Sequence, residues 1–199
     1  MKNTVLRLLT LIVAITALAS CHKFSKNSKN NIIGNWLFSG MHLLTENTVT
    51  FSDGIDVLKT ITISNAETID NGGELQITED TLAGKAFTYS LKTTANAYIY
   101  ENNRLTDSVQ SPFQFALPPV NTTVEYKRTT TDSIYFNPCL MTGFNTAESA
   151  DCFTGAHINV EGNRLVITSS VEEASTKKEK GVTHSVLNKV TAQMSFKRR

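Results

Sequence analysis

The fold is decided by the stretch Ile158-Asn159-Val160-Glu161-Gly162-Asn163-Arg164-Leu165-Val166-Ile167, in which large apolar residues recur at every second position on both sides of a turn. Strict alternation is typical of a half-buried antiparallel strand, because successive side chains point to opposite faces of a sheet. Glu161-Gly162-Asn163 joins the two runs and is a strong hairpin signal. The stretch therefore predicts two adjacent antiparallel strands.

The same alternation extends over most of the chain from residue 32 onward. Its apolar positions include Val57, Ile61, Ile63, Leu75, Ile77, Phe87, Tyr89, Leu91, Val124, Tyr126, Ile134, Phe136, Val190, Ala192, Met194 and Phe196. Beyond the first twenty residues no helical period is sustained, and the runs are rich in β-branched and aromatic residues. The runs number nine or ten. They predict an all-β fold, an antiparallel meander of about eight to ten strands closed into a barrel or a curled sandwich.

Interruptions of the alternation by Gly, Pro, Asn or Asp predict further turns. They are Asp53-Gly54, Asn71-Gly72-Gly73, Ala83-Gly84-Lys85 and Pro118-Pro119. The polar run at residues 172–180 is expected to be a long solvated loop, with one turn of helix as the alternative.

Residues 1–20 have the layout of an export signal, which would form a short helix. Lys2 and Arg7 precede an uncharged and mainly apolar run at residues 8–18, which is too short for a comfortable membrane span. The run closes on Leu18-Ala19-Ser20-Cys21, which resembles a bacterial lipobox, where the Cys is acylated and the signal is removed just before it. The resemblance implies a lipid such as palmitate on Cys21. A secreted protein with a chance Cys and an uncut signal anchor are the alternatives.

Removal of the signal leaves 179 residues, enough for one domain with a real core. Without Lys2 and Arg7 the chain has 17 basic and 18 acidic residues, a formal net charge of −1. Such a charge gives no reason to propose nucleic acid as a partner. Residues 21–31 are polar and without period, which predicts a flexible tether between the lipid and a domain at residues 32–199.

Cys139 and Cys152 remain as an even pair in a chain that is expected to leave the reducing cytoplasm, so a disulfide between them is predicted. Closing a loop of this length would stabilise the fold by about 3 kcal/mol. The loop contains Met141 and Phe144. Either the disulfide only restrains a long connection, or it holds a lid with these two side chains over the open end of a barrel.

The opening Gly34-Asn35-Trp36, the Gly-Asn-Arg-Leu-Val-Ile-Thr hairpin at residues 162–168 and the last strand ending in Ser195-Phe196-Lys197-Arg198-Arg199 resemble lipocalin-like domains of small envelope lipoproteins of the Bacteroidota type. The resemblance implies that Gly34 and Trp36 form the closed end of a barrel. It also implies that Lys197, Arg198 or Arg199 lies over the indole ring as a cation on an aromatic face. The alternative is an ordinary core Trp of a β-sandwich.

The chain lacks the usual hydrolase, metalloprotease and phosphate-binding motifs, so we expect neither an enzyme nor a cofactor. His22, His42, His157 and His184 are scattered without ligand spacing. Asp53-Gly54-Ile55-Asp56 lacks the remaining ligands of a calcium loop, and Glu172-Glu173 does not suggest a catalytic pair. No metal site is expected.

Three triplets resemble O-glycosylation sites of Bacteroidota envelope proteins: Asp80-Thr81-Leu82, Asp107-Ser108-Val109 and Asp132-Ser133-Ile134. The residues after Cys21 depart from the surface-export signal of that phylum. We therefore expect a protein that is anchored to the outer membrane by lipid and faces the periplasm.

Two functions follow from this reading. The barrel could bind a small apolar or amphipathic ligand, lined by Phe87, Tyr89, Tyr126, Phe136, Met141 and Phe144. Alternatively, these side chains fill the barrel, and its outer face or an edge docks another envelope protein. An eight-stranded barrel has little more than side-chain room inside, so the filling of the interior distinguishes the two functions.

Overall fold

Eight antiparallel β-strands form a closed meander in a computed structural model that describes residues 32–136 and 154–199. The strands are β1 (Gly34–Ser52), β2 (Val57–Ile77), β3 (Thr81–Glu101), β4 (Arg104–Arg128), β5 (Ser133–Phe136), β6 (Gly155–Glu161), β7 (Arg164–Glu179) and β8 (Val182–Arg198). Each strand pairs with the next, and β8 pairs with β1 to close the ring. The all-β barrel prediction is confirmed, and the sandwich alternative is excluded.

The strands differ strongly in length, and this divides the barrel into two regions. β5 and β6 have 4 and 7 residues, whereas the other six strands have 16 to 25. The ring is therefore complete only beside β5 and β6. We call this part the closed section, comprising residues 34–43, 66–77, 82–91, 117–128, 133–136, 155–161, 164–169 and 192–198.

The six long strands continue beyond the closed section. We call this second part the projecting sheet, and its strand order is β7-β8-β1-β2-β3-β4. It comprises residues 44–52, 57–65, 92–101, 104–116, 170–179 and 182–191. At ~3.3 Å per residue, about ten residues project roughly 33 Å. The turns at residues 53–56, 102–103 and 180–181 lie at its far end.

The hydrophobic core lies in the closed section. It is one cluster of buried side chains that includes Trp36, Phe38, Met41, Leu75, Leu82, Leu91, Phe136, Leu165, Ile167 and Phe196. The inward positions alternate with outward ones, as in the buried pattern of β7 at Leu165, Ile167 and Ser169. Within the described residues, no side chain of the projecting sheet is fully buried.

Two turn predictions are confirmed. Asp53-Gly54 lies between β1 and β2, and the Gly162-Asn163 turn joins β6 to β7. In the first turn, the carboxylate Oδ1 of Asp53 accepts hydrogen bonds from the backbone N–H groups of Ile55 and Asp56, at 2.9 and 2.8 Å. These bonds lower the pKa of Asp53.

Three other predicted turns are wrong, because each interruption lies within a strand. The strand β2 contains Asn71-Gly72-Gly73, β3 contains Ala83-Gly84-Lys85, and β4 contains Pro118-Pro119. The pairing register shifts beside each of them, so they are β-bulges, which bend a strand without ending it. A further shift lies near Gly40 in β1. These bends curve the sheet in the closed section, where the ring must close.

The loop predicted at residues 172–180 is also wrong, because residues 172–179 belong to β7. The run pairs with β8 from Glu172↔Lys189 to Glu179↔Val182. Its charged side chains are exposed, and Lys177–Glu179 and Lys189–Glu172 form ion pairs at 3.2 and 3.4 Å. Polar side chains are tolerated in this strand because no core faces it.

Candidate functional site: the closed section and the projecting sheet

Trp36 lies in the core of the closed section and has no solvent exposure. Its indole Nε1–H donates to the backbone carbonyl of Ile32 at 2.7 Å, which satisfies its polar atom. The guanidinium carbon of Arg198 lies 4.8 Å from the centroid of the ring. Of the three basic residues considered from the sequence, Arg198 thus has the cation over Trp36. Gly34, with φ of +137°, allows the chain to enter β1 in a conformation that other residues rarely adopt.

An aromatic cluster centred on Phe38 fills the adjoining layer of the closed section. The Phe38 ring centroid lies 5.5 Å from that of Phe87, 5.6 Å from that of Phe196 and 6.3 Å from that of Tyr89. The rings are tilted or edge-on, which is the favoured arrangement of aromatic pairs. These side chains occupy the interior of the barrel rather than framing an entrance.

The four described candidates for ligand contact are all buried, each with at most 9% of its surface exposed: Phe87, Tyr89, Tyr126 and Phe136. The Tyr126 hydroxyl donates to the backbone carbonyl of Thr78 at 2.7 Å, and burial raises the pKa of this phenol. Burial likewise raises the pKa of Tyr89 to about 12. Both phenols therefore stay neutral and serve as packing groups at physiological pH.

The other predicted site residues lie outside the described residues. They are the lipidation candidate Cys21, the cysteines Cys139 and Cys152, and the candidate lid residues Met141 and Phe144. The lipid anchor, the disulfide and the lid therefore remain predictions.

The inner face of the projecting sheet has polar and apolar rungs, where a rung is a row of side chains that lie opposite one another on neighbouring strands. Next to the core, Thr45 lies opposite Ser64, and Asn47 donates through its amide to Asn188. Further out, Val49 lies opposite Val186 and Phe51 lies opposite Leu58 and His184. Phe51 and His184 stack with centroids 4.5 Å apart and planes within 5°. A polar belt thus separates the core from an outer apolar rim.

The outer face of the projecting sheet mixes apolar and charged rungs. One rung contains Leu187, Thr48, Ile61 and Tyr98, and the next contains the Glu172–Lys189 ion pair beside Glu46. Nearer the tip, the ammonium of Lys59 lies 5.1 Å from the Tyr100 ring centroid. Charges in the rungs on both sides of this uncharged rung distinguish the face from the continuous apolar band that lipid tails require.

The two edges of the projecting sheet have different chemistry. Among the described residues, residues 104–116 of β4 pair only with β3, and residues 170–179 of β7 pair only with β8. The β7 edge has five charged residues in ten, whereas the β4 edge has only Arg104 and Asp107. Charged residues protect an edge against strand addition. On the β4 edge, Leu105, Val109 and Phe113 are exposed by 52, 46 and 53%.

The described histidines are apart from one another. His42 Nε2 lies 2.6 Å from Asn65 Oδ1, and His157 Nδ1 lies 3.6 Å from a carboxylate oxygen of Asp132. His184 stacks on Phe51. Across residues 32–136 and 154–199, no three His, Cys, Asp or Glu side chains are grouped so that they could hold a metal ion.

Comparison with known proteins adds little to this geometry. No family model matches the chain, and no curated protein matches it. Among solved structures, Ail, the attachment invasion locus protein of Yersinia pestis, is 8% identical and aligns with 82% of this chain and 99% of its own. The TM-score is 0.15, and at this value the match says nothing about the function of this chain.

Proposed function

We propose that this protein is a lipid-anchored, non-enzymatic module of the bacterial envelope whose projecting sheet docks another envelope protein. The observation that supports this function best is the filled closed section, in which Phe38, Phe87, Tyr89 and Phe196 pack against one another. A carrier needs an interior cavity, whereas a docking module needs exposed surface. Among the residues that the structure describes, the large exposed surface is the projecting sheet.

The β4 edge is the best docking surface on this sheet. Its backbone groups offer hydrogen bonds to an added strand. It has few of the charged side chains that usually protect a sheet edge against strand addition. Pro112 interrupts the row of N–H donors on this edge, so an added strand would pair over a short length. Leu105, Val109 and Phe113 would supply apolar contacts to that strand.

A photoreactive residue placed at position 113 tests this docking in intact cells. The matched control is position 135, because Tyr135 is 46% exposed on the closed section and Phe113 is 53% exposed on the β4 edge. We expect one partner band at position 113 that is absent at position 135 and is lost in a Val109→Asp background. Equal crosslinking at both positions, or none at position 113, would refute docking through this edge.

The lipid anchor on Cys21 is part of the proposal and has a separate test. The charges on the outer face, at Glu46, Glu172 and Lys189, favour attachment by lipid over insertion of the barrel in a bilayer. Cys21→Ser should release the protein from the membrane fraction or leave it unprocessed. An unchanged membrane fraction and an unchanged mature mass would contradict lipidation. Protease shaving of intact cells checks the periplasmic orientation, which predicts protection.

Binding of a small apolar ligand is the second candidate, and the apolar rim of the inner face favours it. Phe51, Leu58 and Val186 lie together there above the polar belt. Saturable binding of a fluorescent fatty-acid analogue that is weakened by Leu58→Ser but not by Phe113→Ser would favour this function. Absence of saturable binding would leave the docking function alone.

A further inference from the structure

A polar pocket lies on the outer surface where β1 changes register. The shift falls between Phe38 and Gly40 relative to β8, and between Leu37 and His42 relative to β2. The gap between the ladders opens a pocket of about 230 Å³. It is lined by Ser39, Gly40, Met41, His42, Glu67, Thr68, Arg164, Gln193 and Ser195.

The wall of the pocket is held by side-chain bonds that replace part of the backbone ladder. Thr68 Oγ1 accepts from the backbone N–H of Met41 at 2.8 Å, and the Asn71 amide donates to the Thr68 carbonyl at 3.0 Å. Gly40 has a φ of +149°, and a Cβ there would lie 3.2 Å from Asn71 Nδ2. The pocket therefore depends on a glycine at position 40.

Opposite charges enter the pocket from its two sides. Glu67 lies on β2 and Arg164 on β7, with β1 and β8 between them. Arg164 Nη2 donates to Ser195 Oγ at 3.3 Å, which directs the guanidinium across β8. Neither Glu67 nor Arg164 forms an ion pair with any described residue. The two charges face the pocket without neutralising each other.

Polar groups that suit a small ligand lie between the charges. His42 lies directly opposite Glu67 on one side and Gln193 on the other. Its Nε2 lies 2.6 Å from Asn65 Oδ1, a contact that fixes the orientation of the ring. At ~30 Å³ for each water-sized group, the pocket has room for roughly seven non-hydrogen atoms.

We propose that this pocket binds a small zwitterion of the size of a short α-amino acid. The carboxylate would contact Arg164, which presents a fork of N–H donors that fits a carboxylate, and the ammonium would contact Glu67. The amide of Gln193 and the hydroxyls of Ser39 and Ser195 complete the polar wall. This site is separate from the β4 edge and does not depend on the docking function.

Titration of the isotopically labelled full chain with L-alanine tests the proposal, with the backbone amide shifts of Gly40, Met41 and Gln193 as the readout. Arg164→Gln and Glu67→Gln should each weaken binding about tenfold, because each removes one charge-assisted contact. Lys127→Gln and Glu125→Gln, which are exposed on β4 away from the pocket, are matched controls and should leave binding unchanged. Acetate and ethylamine, which each carry one of the two charges, should bind at least tenfold more weakly than L-alanine.

Arg164→Gln and Glu67→Gln also distinguish a zwitterion site from a simple anion site. Acetate binding as tight as L-alanine, with an effect of Arg164→Gln alone, would show a simple anion site and overturn the proposal. So would saturable binding that shifts amides elsewhere, or no shift at any concentration of L-alanine. Amide spectra of the free variants that match the original protein outside the pocket would exclude misfolding as the cause.

Discussion

The closed section and the projecting sheet are built from the same six long strands but are stabilised differently. In the closed section, large inward side chains such as Trp36, Phe38 and Phe196 form one buried cluster. In the projecting sheet the inward positions include Thr45, Asn47 and Ser64, and neither face is covered by a second layer of described residues. A sheet normally buries one face. The difference indicates that the closed section supplies stability and the projecting sheet supplies surface.

The largest expected difference between the regions is in side-chain truncation. Trp36→Ala removes a fully buried ring, its bond to Ile32 and its contact with Arg198, and should cost about 3–5 kcal/mol of unfolding free energy. Phe113→Ala on the projecting sheet should cost about 0.5 kcal/mol or less, because that ring is half exposed. Equilibrium denaturation of both variants measures the difference. Similar costs would show that the projecting sheet contributes to stability as the core does.

Two glycines with left-handed φ angles give the next largest difference. Gly73 in the closed section has φ of +110°, and a Cβ there would lie 2.7 Å from the carbonyl oxygen of Ala86. Gly181, at the tip of the projecting sheet, has φ of +87° and no atom within 4 Å of such a Cβ. Both substitutions place an alanine in a left-handed conformation, so that part of the cost is similar. Because only position 73 is crowded, Gly73→Ala should lower the unfolding free energy by about 1–3 kcal/mol more than Gly181→Ala. Thermal or chemical denaturation measures the stability of the two variants. Equal losses of stability would contradict the expected effect of crowding at position 73.

Cation–aromatic contacts occur in both regions, and removing the cation should give a smaller difference in stability between them. Arg198 lies over the buried Trp36 ring, whereas Lys59 lies over the more accessible Tyr100 ring. The attraction grows when water is excluded, so Arg198→Gln should cost about 1 kcal/mol and Lys59→Gln about 0.5 kcal/mol. Because Arg198 also donates to the Ile33 carbonyl at 3.4 Å, Arg198→Lys is the better control for charge alone. A larger loss for Lys59→Gln than for Arg198→Gln would show that burial does not govern these contacts.

The buried positions of the closed section and the apolar runs of the projecting sheet were predictable from the sequence, whereas the bulges and the polar part of β7 were not. Inward positions such as Ile158, Met194 and Phe196 alternate with polar residues, and their side chains are buried as the alternation predicts. In the projecting sheet a polar run can be a strand without any core, so the loop predicted at residues 172–180 is a strand up to Glu179. Hydrogen bonding to β8 decides their structure, and this pairing leaves no pattern of hydrophobicity.

Glycine and proline were the other source of error. Gly72, Gly73, Gly84, Pro118 and Pro119 mark bulges within strands, whereas the same residue types at Gly54 and Gly162 mark turns. Bulges and turns both need residues with unusual backbone angles or without a backbone N–H donor. Local composition therefore does not distinguish a bulge from a turn. The bulge at Gly40 opens the polar pocket, and nothing in the sequence near Gly40 showed that Glu67 and Arg164 would lie beside it.

A loss of stability at high pH is also expected to arise from the closed section. Burial raises the pKa of Tyr89 to about 12, above the usual 10 of an unfolded chain. The unfolded state therefore loses this proton first, so the contribution is complete below pH 10 and disappears as the pH rises through about 12. Tyr89→Phe has no phenol to titrate, and its unfolding free energy should fall less between pH 10 and 12 than that of the original protein. Comparison of the two proteins cancels the titration of lysines and of Tyr126, and parallel pH profiles would show that the Tyr89 phenol gains no protection from the core.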